Sequence, residues 1–109
     1  TLAEAENVLR DAIGKSPKRQ QIRYQLSMLE LQMGKAGEAL LLLEETLADD
    51  PKIVESWWRL ALVYYERGEI EKAREVVQKA EKQGIVFVDT GKSVKEMIFT
   101  AAVGPNKGN

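Results

Sequence analysis

Residues 56 to 84, SWWRLALVYYERGEIEKAREVVQKAEKQG, decide the fold of this chain. They divide at Gly68 into two segments in which apolar residues recur at steps of three and four, the spacing of one face of an α-helix. The two faces comprise Trp57, Leu60, Ala61, Tyr64 and Tyr65 in the first segment and Ile70, Ala73, Val76, Val77 and Ala80 in the second. Because Gly takes a left-handed turn conformation without a side-chain clash, we predict two antiparallel helices joined by a tight turn.

The same pattern occurs earlier in the chain at an interval of 34 residues. One interval pairs Leu26 with Leu60, Gly34 with Gly68, Ala39 with Ala73, Leu43 with Val77, and Pro17 with Pro51. A second interval reaches Ala5, Leu9 and Ala12. A single hairpin cannot bury both of its apolar sides, so the repetition indicates a row of similar hairpins that pack on one another.

A helix–turn–helix period of this length is that of the tetratricopeptide repeat, and the chain resembles that family. The second unit matches the family pattern at Trp57, Leu60, Ala61, Tyr64, Gly68, Ala73, Val77 and Ala80. The first unit is a looser match, with Arg23 in the place of Trp57 and Glu30 in the place of Tyr64. The resemblance implies an all-α helical-hairpin solenoid, a right-handed superhelix of five repeat helices followed by a C-terminal capping helix.

Four segments follow from this frame: the second helix of a truncated unit (residues 1–17), two tetratricopeptide units (18–51 and 52–84), and a final segment (85–109). Thr1 with Glu4 predicts a capping box for a first helix that Gly14 ends. The second helix is expected from Ser16-Pro17 to Met33, a turn at residues 34–37, and the third helix over residues 38–48. The final segment is expected to hold an extended run (85–88), a turn (89–91), a helix over residues 94–103 capped by Ser93 with Glu96, and a loose tail.

The composition excludes several classes of function. The net charge is −1 and no basic stripe is present, so we expect no binding to nucleic acid. The chain has no His and no Cys, which removes the commonest general base and the usual metal ligands. Its longest apolar run, residues 39–43, is too short to insert into a membrane. We therefore expect a soluble bacterial domain, cytoplasmic or extracytoplasmic, and, because it starts at Thr1 without Met, a fragment or processed piece.

Two motifs suggest chemistry, and neither supports it. Gly91-Lys92-Ser93 resembles the end of a phosphate-binding P-loop, but Val86 stands where that loop requires its first Gly. The paired carboxylates Glu44-Glu45, Asp49-Asp50 and Glu69/Glu71 fall at helix ends or on polar faces, where solvated charge is expected; Asp49-Asp50 is placed at the start of the fourth helix. We predict no catalytic residue, metal, nucleotide or other cofactor, and no enzymatic activity.

The functional candidate is a second apolar stripe on the first helix of each unit. In the family these helices line a concave groove, and the resemblance places there, as partner-binding residues, Tyr24, Met28, Gln32, Trp58, Arg59, Leu62 and Tyr65, with Arg23 also at the rim. The residue types favour a peptide or amphipathic helix held by apolar and stacking contacts. Lys and Asn do not occupy the positions that would clamp a terminal carboxylate. In the alternative interpretation the groove is filled from within, by the tail helix or by a preceding helix, and Leu31 and Leu62 serve packing.

A structural role is the competing hypothesis. The incomplete unit at residues 1–17 suggests a spacer within a longer array or a homodimer formed through that unit. A weaker similarity links the strings SPKRQQIRYQL (residues 16–26), WWRLAL (57–62) and GIVF (84–87) to the soluble C-terminal repeat segment of some bacterial O-antigen ligase or polymerase-like membrane proteins. That similarity would place catalysis in a membrane portion outside this sequence.

Overall fold

The computed structural model describes residues 1–16 and 20–102. In these ranges the chain is all-helical, with six α-helices and no strand, as predicted. The helices are α1 (Leu2–Lys15), α2 (Gln20–Gln32), α3 (Ala36–Asp49), α4 (Val54–Glu66), α5 (Ile70–Lys82) and α6 (Asp89–Thr100). They form two compact units, Thr1–Pro51 and Lys52–Asn109. None of the helices in the described ranges is both long enough and apolar enough to cross a bilayer.

In the first unit α2 and α3 pack together as a hairpin, and α1 packs on α2. The apolar residues that the 34-residue interval selects form the core: Leu26, Ala39 and Leu43 are almost fully buried. Gly34 lies between α2 and α3 with φ +78°, in the left-handed region. The hairpin of residues 20–49 is therefore built as the repeat pattern predicts.

The start of α1 is also as predicted, but its end is not. The Glu4 amide donates to Thr1 Oγ1 at 3.2 Å and the Thr1 ammonium donates to Glu4 Oε1 at 2.7 Å, which completes the capping box. The helix continues through Gly14 to Lys15, where the Ser16 amide donates to the Ala12 carbonyl at 2.9 Å. A Gly inside a helix weakens it by less than the last hydrogen bonds of the turn stabilise it, so Gly14 does not end α1.

The second unit contains the hairpin that the opening stretch predicts. Helices α4 and α5 pack together, and Trp57, Leu60, Ala73 and Val77 lie in the core between them. Gly68 has φ +81°, and its amide donates to the Tyr65 carbonyl at 2.9 Å. The turn geometry requires this φ, which a residue with a Cβ adopts at a cost of about 1 kcal/mol or more.

The end of the second unit differs from the prediction. α6 begins at Asp89, which has φ 51°, so residues 89–91 form its first turn, and Ser93 lies inside the helix rather than capping it. Two tertiary contacts override the local capping signal: Phe87 is buried just before the helix, and Gly91 is buried in its first turn. α6 packs on both α4 and α5, ends at Thr100, and so covers the last hairpin. The predicted continuation to Val103 and the loose tail lie outside the described residues, as does Pro17.

Two smaller predictions about helix limits are also wrong. α3 begins at Ala36 and so takes in the last residues of the turn expected at residues 34–37. α4 begins at Val54, so Asp49 and Asp50 do not lie at its N-terminus. Asp49 is instead the last residue of α3, and its Oδ2 accepts a hydrogen bond from Arg23 Nη1 at 2.6 Å. The acidic pair therefore serves the first unit, where it ties the end of α3 to α2.

Candidate functional site

The predicted binding residues of the second unit lie along one side of α4. Trp58, Leu62 and Tyr65, here called the α4 row, are spaced four and three apart and therefore share one side of the helix. All three are half-buried. The residues that face the core are different ones: Ser56, Trp57, Leu60, Ala61 and Val63. α4 thus carries large apolar side chains on a side that the hairpin contact does not fully bury.

Trp58 is held on two sides within its own unit. The guanidinium carbon of Arg59 lies 4.8 Å from the centroid of the indole ring, a cation–π contact. A Cβ added to Gly91 would lie 2.8 Å from Trp58 Cδ1, so the backbone of α6 rests directly on the ring. At this residue the tail helix occupies part of the space in front of the predicted site. Leu62 and Tyr65 lie one and two turns further along α4.

The predicted binding residues of the first unit lie on α2 and differ in accessibility. Tyr24 is buried, with 7% of its surface exposed, whereas Met28 and Leu31 are half-buried and Gln32 is exposed. Arg23, expected at the rim, has a side chain only 12% exposed and is committed to the ion pair with Asp49. The accessible groups on this side of α2 are therefore a thioether and amides.

The structure also brings together five charged residues that the sequence analysis did not associate, here called the charged cluster: Glu6, Arg10, Glu30, Lys35 and Glu38. Arg10 Nη2 donates to all three carboxylates, at 3.1 Å to Glu6, 2.8 Å to Glu30 and 3.0 Å to Glu38. Lys35 Nζ donates to both oxygens of Glu6, at 2.9 and 3.0 Å. The cluster joins α1 to α2 and to the start of α3.

The two buried carboxyls of the charged cluster respond differently to their surroundings. Burial raises the pKa of Glu30, because the side chain is 2% exposed and the charged form is poorly solvated there; the nearby Arg10 lowers it to a smaller extent. The hydrogen bond from Lys35 lowers the pKa of Glu6, with Arg10 acting in the same direction. Glu30 Oε1 makes no hydrogen bond within the described residues, so this carboxylate is only half satisfied.

The charged cluster has the ligand types but not the space of a metal site. One oxygen from each of Glu6, Glu30 and Glu38 lies within 4.8 Å of the others, which is close enough to share an ion. The Arg10 guanidinium already lies between them, at hydrogen-bond distance from all three. A cation bound there would have to displace that guanidinium, so the carboxylates are partners of Arg10 and Lys35 rather than ligands.

The sequence held a weak signal for the charged cluster. Glu6 and Arg10 are four residues apart on α1, a spacing that places them side by side on a helix. Glu30 occupies the position of Tyr64 in the second unit, where the repeat pattern has an aromatic residue. A carboxylate at a position that the repeat buries requires a cation from a neighbouring helix, and Arg10 supplies it.

Two comparisons with known proteins bear on these observations. The family model described as "Tetratricopeptide repeat" matches residues 24–85, more than half of the chain. The match runs from α2 through α5 and includes both hairpins. A search of curated proteins finds no matching relative.

Proposed function

Because the chain belongs to the tetratricopeptide repeat family, whose repeats mediate protein–protein interaction, we propose that it binds a peptide or an amphipathic helix of a partner protein along the first helices of its two hairpins. We propose this as a non-catalytic role. The observation that carries the proposal is the α4 row, which keeps two aromatic rings and a leucine half-exposed beside the buried side of the same helix.

The contacts of Trp58 divide the work among the proposed site residues. Arg59 stacks on one face of the ring and α6 lies against its edge, so Trp58 forms a rigid wall rather than a mobile anchor. Leu62 and Tyr65 then supply the apolar area and the hydroxyl that a bound segment would contact. Aromatic side chains held in place bind with little loss of conformational entropy, which is why they dominate many interfaces.

On α2 we propose that Met28 and Gln32 make the corresponding contacts. Methionine adapts its shape to different apolar partners, and the Gln32 amide offers both a donor and an acceptor to a peptide backbone. Tyr24, which is buried, supports the neighbouring residues in this proposal and makes at most an edge contact.

Selection from a library of 15-residue peptides, followed by titration, tests the proposal. We expect Tyr65→Ala to weaken the selected peptides about tenfold or more, as loss of an aromatic anchor does. Gln78→Ala on the exposed side of α5 is the matched control and leaves affinity unchanged. Trp58→Ala is a poorer test, because it also removes the surface on which α6 packs. Peptides that bind a folded Tyr65→Ala variant as tightly as the original chain would exclude the α4 row.

The hypothesis of a spacer or self-association segment rests on a different surface. α1 carries the exposed apolar residues Leu2 and Val8, which the proposed peptide site does not use. The similarity to the soluble segment of bacterial glycan ligases stays a prediction, and a partner within such a membrane protein is one form that the proposed interaction could take.

A further inference from the structure

We propose that α1 docks one amphipathic helix of a partner protein, patterned like α2 and α4, on the side formed by Ala5, Val8, Leu9 and Ala12. This side is called the α1 face. It is separate from the α4 row, and the proposal goes beyond the peptide-binding function inferred above.

The repeat itself shows that the α1 face is less covered than its equivalents. Ala39 and Ala73, the counterparts of Ala5, are 0% exposed, whereas Ala5 is half-buried. The other positions follow the same trend. Leu43 and Val77 are 1% exposed against a half-buried Leu9, Thr46 and Ala80 are 0% exposed against a half-buried Ala12, and Leu42 and Val76 are half-buried against a Val8 that is 67% exposed.

The two hairpins show what covers these positions. α3 packs against α2, the helix before it, and α5 packs against α4, the helix before it. Within its unit α1 packs against α2, the helix that follows it, and in the described residues no helix precedes it. The uncovered side is therefore the one on which a helix of the α2 or α4 type lies in the other two cases.

The α1 face is held in place for docking. The capping box at Thr1 fixes the start of the helix, and Arg10 and Lys35 tie it to α2 and α3 through the buried carboxylates Glu6 and Glu30. A partner helix would thus meet a preformed surface and would not have to order it, which lowers the cost of binding.

The size of the α1 face selects its occupant. A helix of 14 residues is about 21 Å long and about 10 Å wide, so its face buries about 200 Å² on each partner. A stable dimer needs about 800 Å² on each partner, so two copies joined through this face alone would not hold together. One helix that inserts bulky apolar residues between the small Ala5 and Ala12 fits it, with the spacing that Trp57, Leu60, Ala61 and Tyr64 show on α4.

A peptide of residues 52–69 of this chain is the probe. A lactam bridge from Glu55 to a lysine introduced by Arg59→Lys keeps it helical, and both positions lie opposite the Leu60 side. Added to the isotopically labelled full chain, it is expected to shift the amide NMR signals of residues 5–12. The same bridged peptide with Leu60→Asp is expected to leave those signals unchanged.

Variants of the chain then locate the contact. We expect Val8→Asp to weaken binding about tenfold or more, because the apolar contact is replaced by a charge. Val8 is already exposed, so the fold should be kept, which circular dichroism checks. Asn7→Asp adds the same charge on the neighbouring exposed position and should leave the affinity unchanged.

Three results would overturn the proposal. The first is no shift in residues 5–12 at peptide concentrations up to about 1 mM. The second is equal weakening by Val8→Asp and Asn7→Asp, which would indicate a charge effect rather than a docked face. The third is a dimer in sedimentation equilibrium that Val8→Asp dissociates, since the occupant would then be a second copy. Shifts confined to α4 would bear on the peptide site and count against the α1 face.

Discussion

Gly91 is the residue on which the packing of α6 depends. The nearest atom to a Cβ built there is Trp58 Cδ1 at 2.8 Å, with Phe87 Cδ1 at 3.3 Å. Contacts below 3.0 Å require the ring or the helix to move, and Trp58 is already fixed by Arg59 on its face. The absence of a side chain at Gly91 therefore sets how closely α6 approaches α4.

We expect Gly91→Ala to lower the free energy of unfolding by about 1–3 kcal/mol, as overpacking of a close contact does. The gain in helix propensity of up to about 1 kcal/mol offsets part of this loss. Gly14→Ala is the control, because Gly14 also lies in a helix but a Cβ there meets nothing within 4 Å. Urea unfolding followed by tryptophan fluorescence should show the two variants moving in opposite directions. A Gly91→Ala variant as stable as Gly14→Ala would mean that α6 does not rest on Trp58.

The role of Gly91 also shows where prediction from the sequence stops at this scale. In the sequence Gly91 stands out only as part of Gly91-Lys92-Ser93, which suggested a turn and a cap. Its contact with Trp58 joins residues 33 positions apart, and that distance in sequence lies outside the 34-residue frame that aligns like with like. A steric requirement between two different elements leaves no periodic trace, so it could not be predicted.

At the scale of the element, the helices that the sequence predicted correctly are those specified by local signals. The capping box at Thr1, the left-handed Gly34 and Gly68, and the apolar periodicity are all properties of a few neighbouring residues. α6 is the exception, because its start depends on the burial of Phe87 and on Gly91. Its predicted N-cap, Ser93, satisfied the local rule and still lies one turn inside the helix.

The attachment of α1 to its unit depends on Arg10. We expect Arg10→Gln to lower the free energy of unfolding by about 1–2 kcal/mol, because it leaves the buried Glu30 carboxylate without its cation. This figure is reduced from that of a fully buried pair, since the Arg10 side chain is 49% exposed and its charge is partly screened by water. Hydrogen exchange should show the loss first as faster exchange of the α1 amides.

Lys15→Gln serves as the control for Arg10→Gln, since it also removes a cation from α1. The pair of Lys15 with Asp11 is exposed on both sides, at 77% and 68%, so its loss should change stability by less than about 0.5 kcal/mol. Adding Glu30→Gln to Arg10→Gln should recover part of the stability, because the uncompensated buried charge is then gone. If Arg10→Gln and Lys15→Gln had equal effects, the charged cluster would not hold α1.

At the scale of the whole molecule, the sequence established how many hairpins there are and which residues form their cores. It did not establish how a looser repeat compensates for its departures. Replacing an aromatic residue by Glu30 places a carboxylate in a buried position, and the compensation comes from α1, whose own assignment rested on the interval alone. The predicted binding residues remain predictions; the structure adds that Tyr24 is buried and that Trp58 touches α6.

The response of the molecule to acid follows from Glu6 and Glu30, which act in opposite directions. The folded state lowers the pKa of Glu6 below 4.5, so Glu6 stabilises the fold above that pH, and its contribution is lost as the pH falls through its lowered pKa. The folded state raises the pKa of Glu30 above 4.5, so the folded chain takes up this proton more readily than the unfolded chain. Charged Glu30 therefore destabilises the fold above its raised pKa, and the penalty disappears as the pH falls toward 4.5.

Urea midpoints measured from pH 7 to pH 3 should separate the two carboxyls. Glu6→Gln is expected to be less stable than the original chain at pH 7, and the difference should shrink below pH 4.5, because the contribution of Glu6 is then lost from the original chain as well. Glu30→Gln is expected to be relatively most favourable at pH 7 and to lose that advantage as the pH approaches 4.5, where Glu30 becomes neutral on its own. Parallel pH profiles for the two variants would contradict the opposite pKa shifts. A Glu30→Gln variant that loses stability at pH 7 but not at pH 4 would show that its pair with Arg10 outweighs its burial.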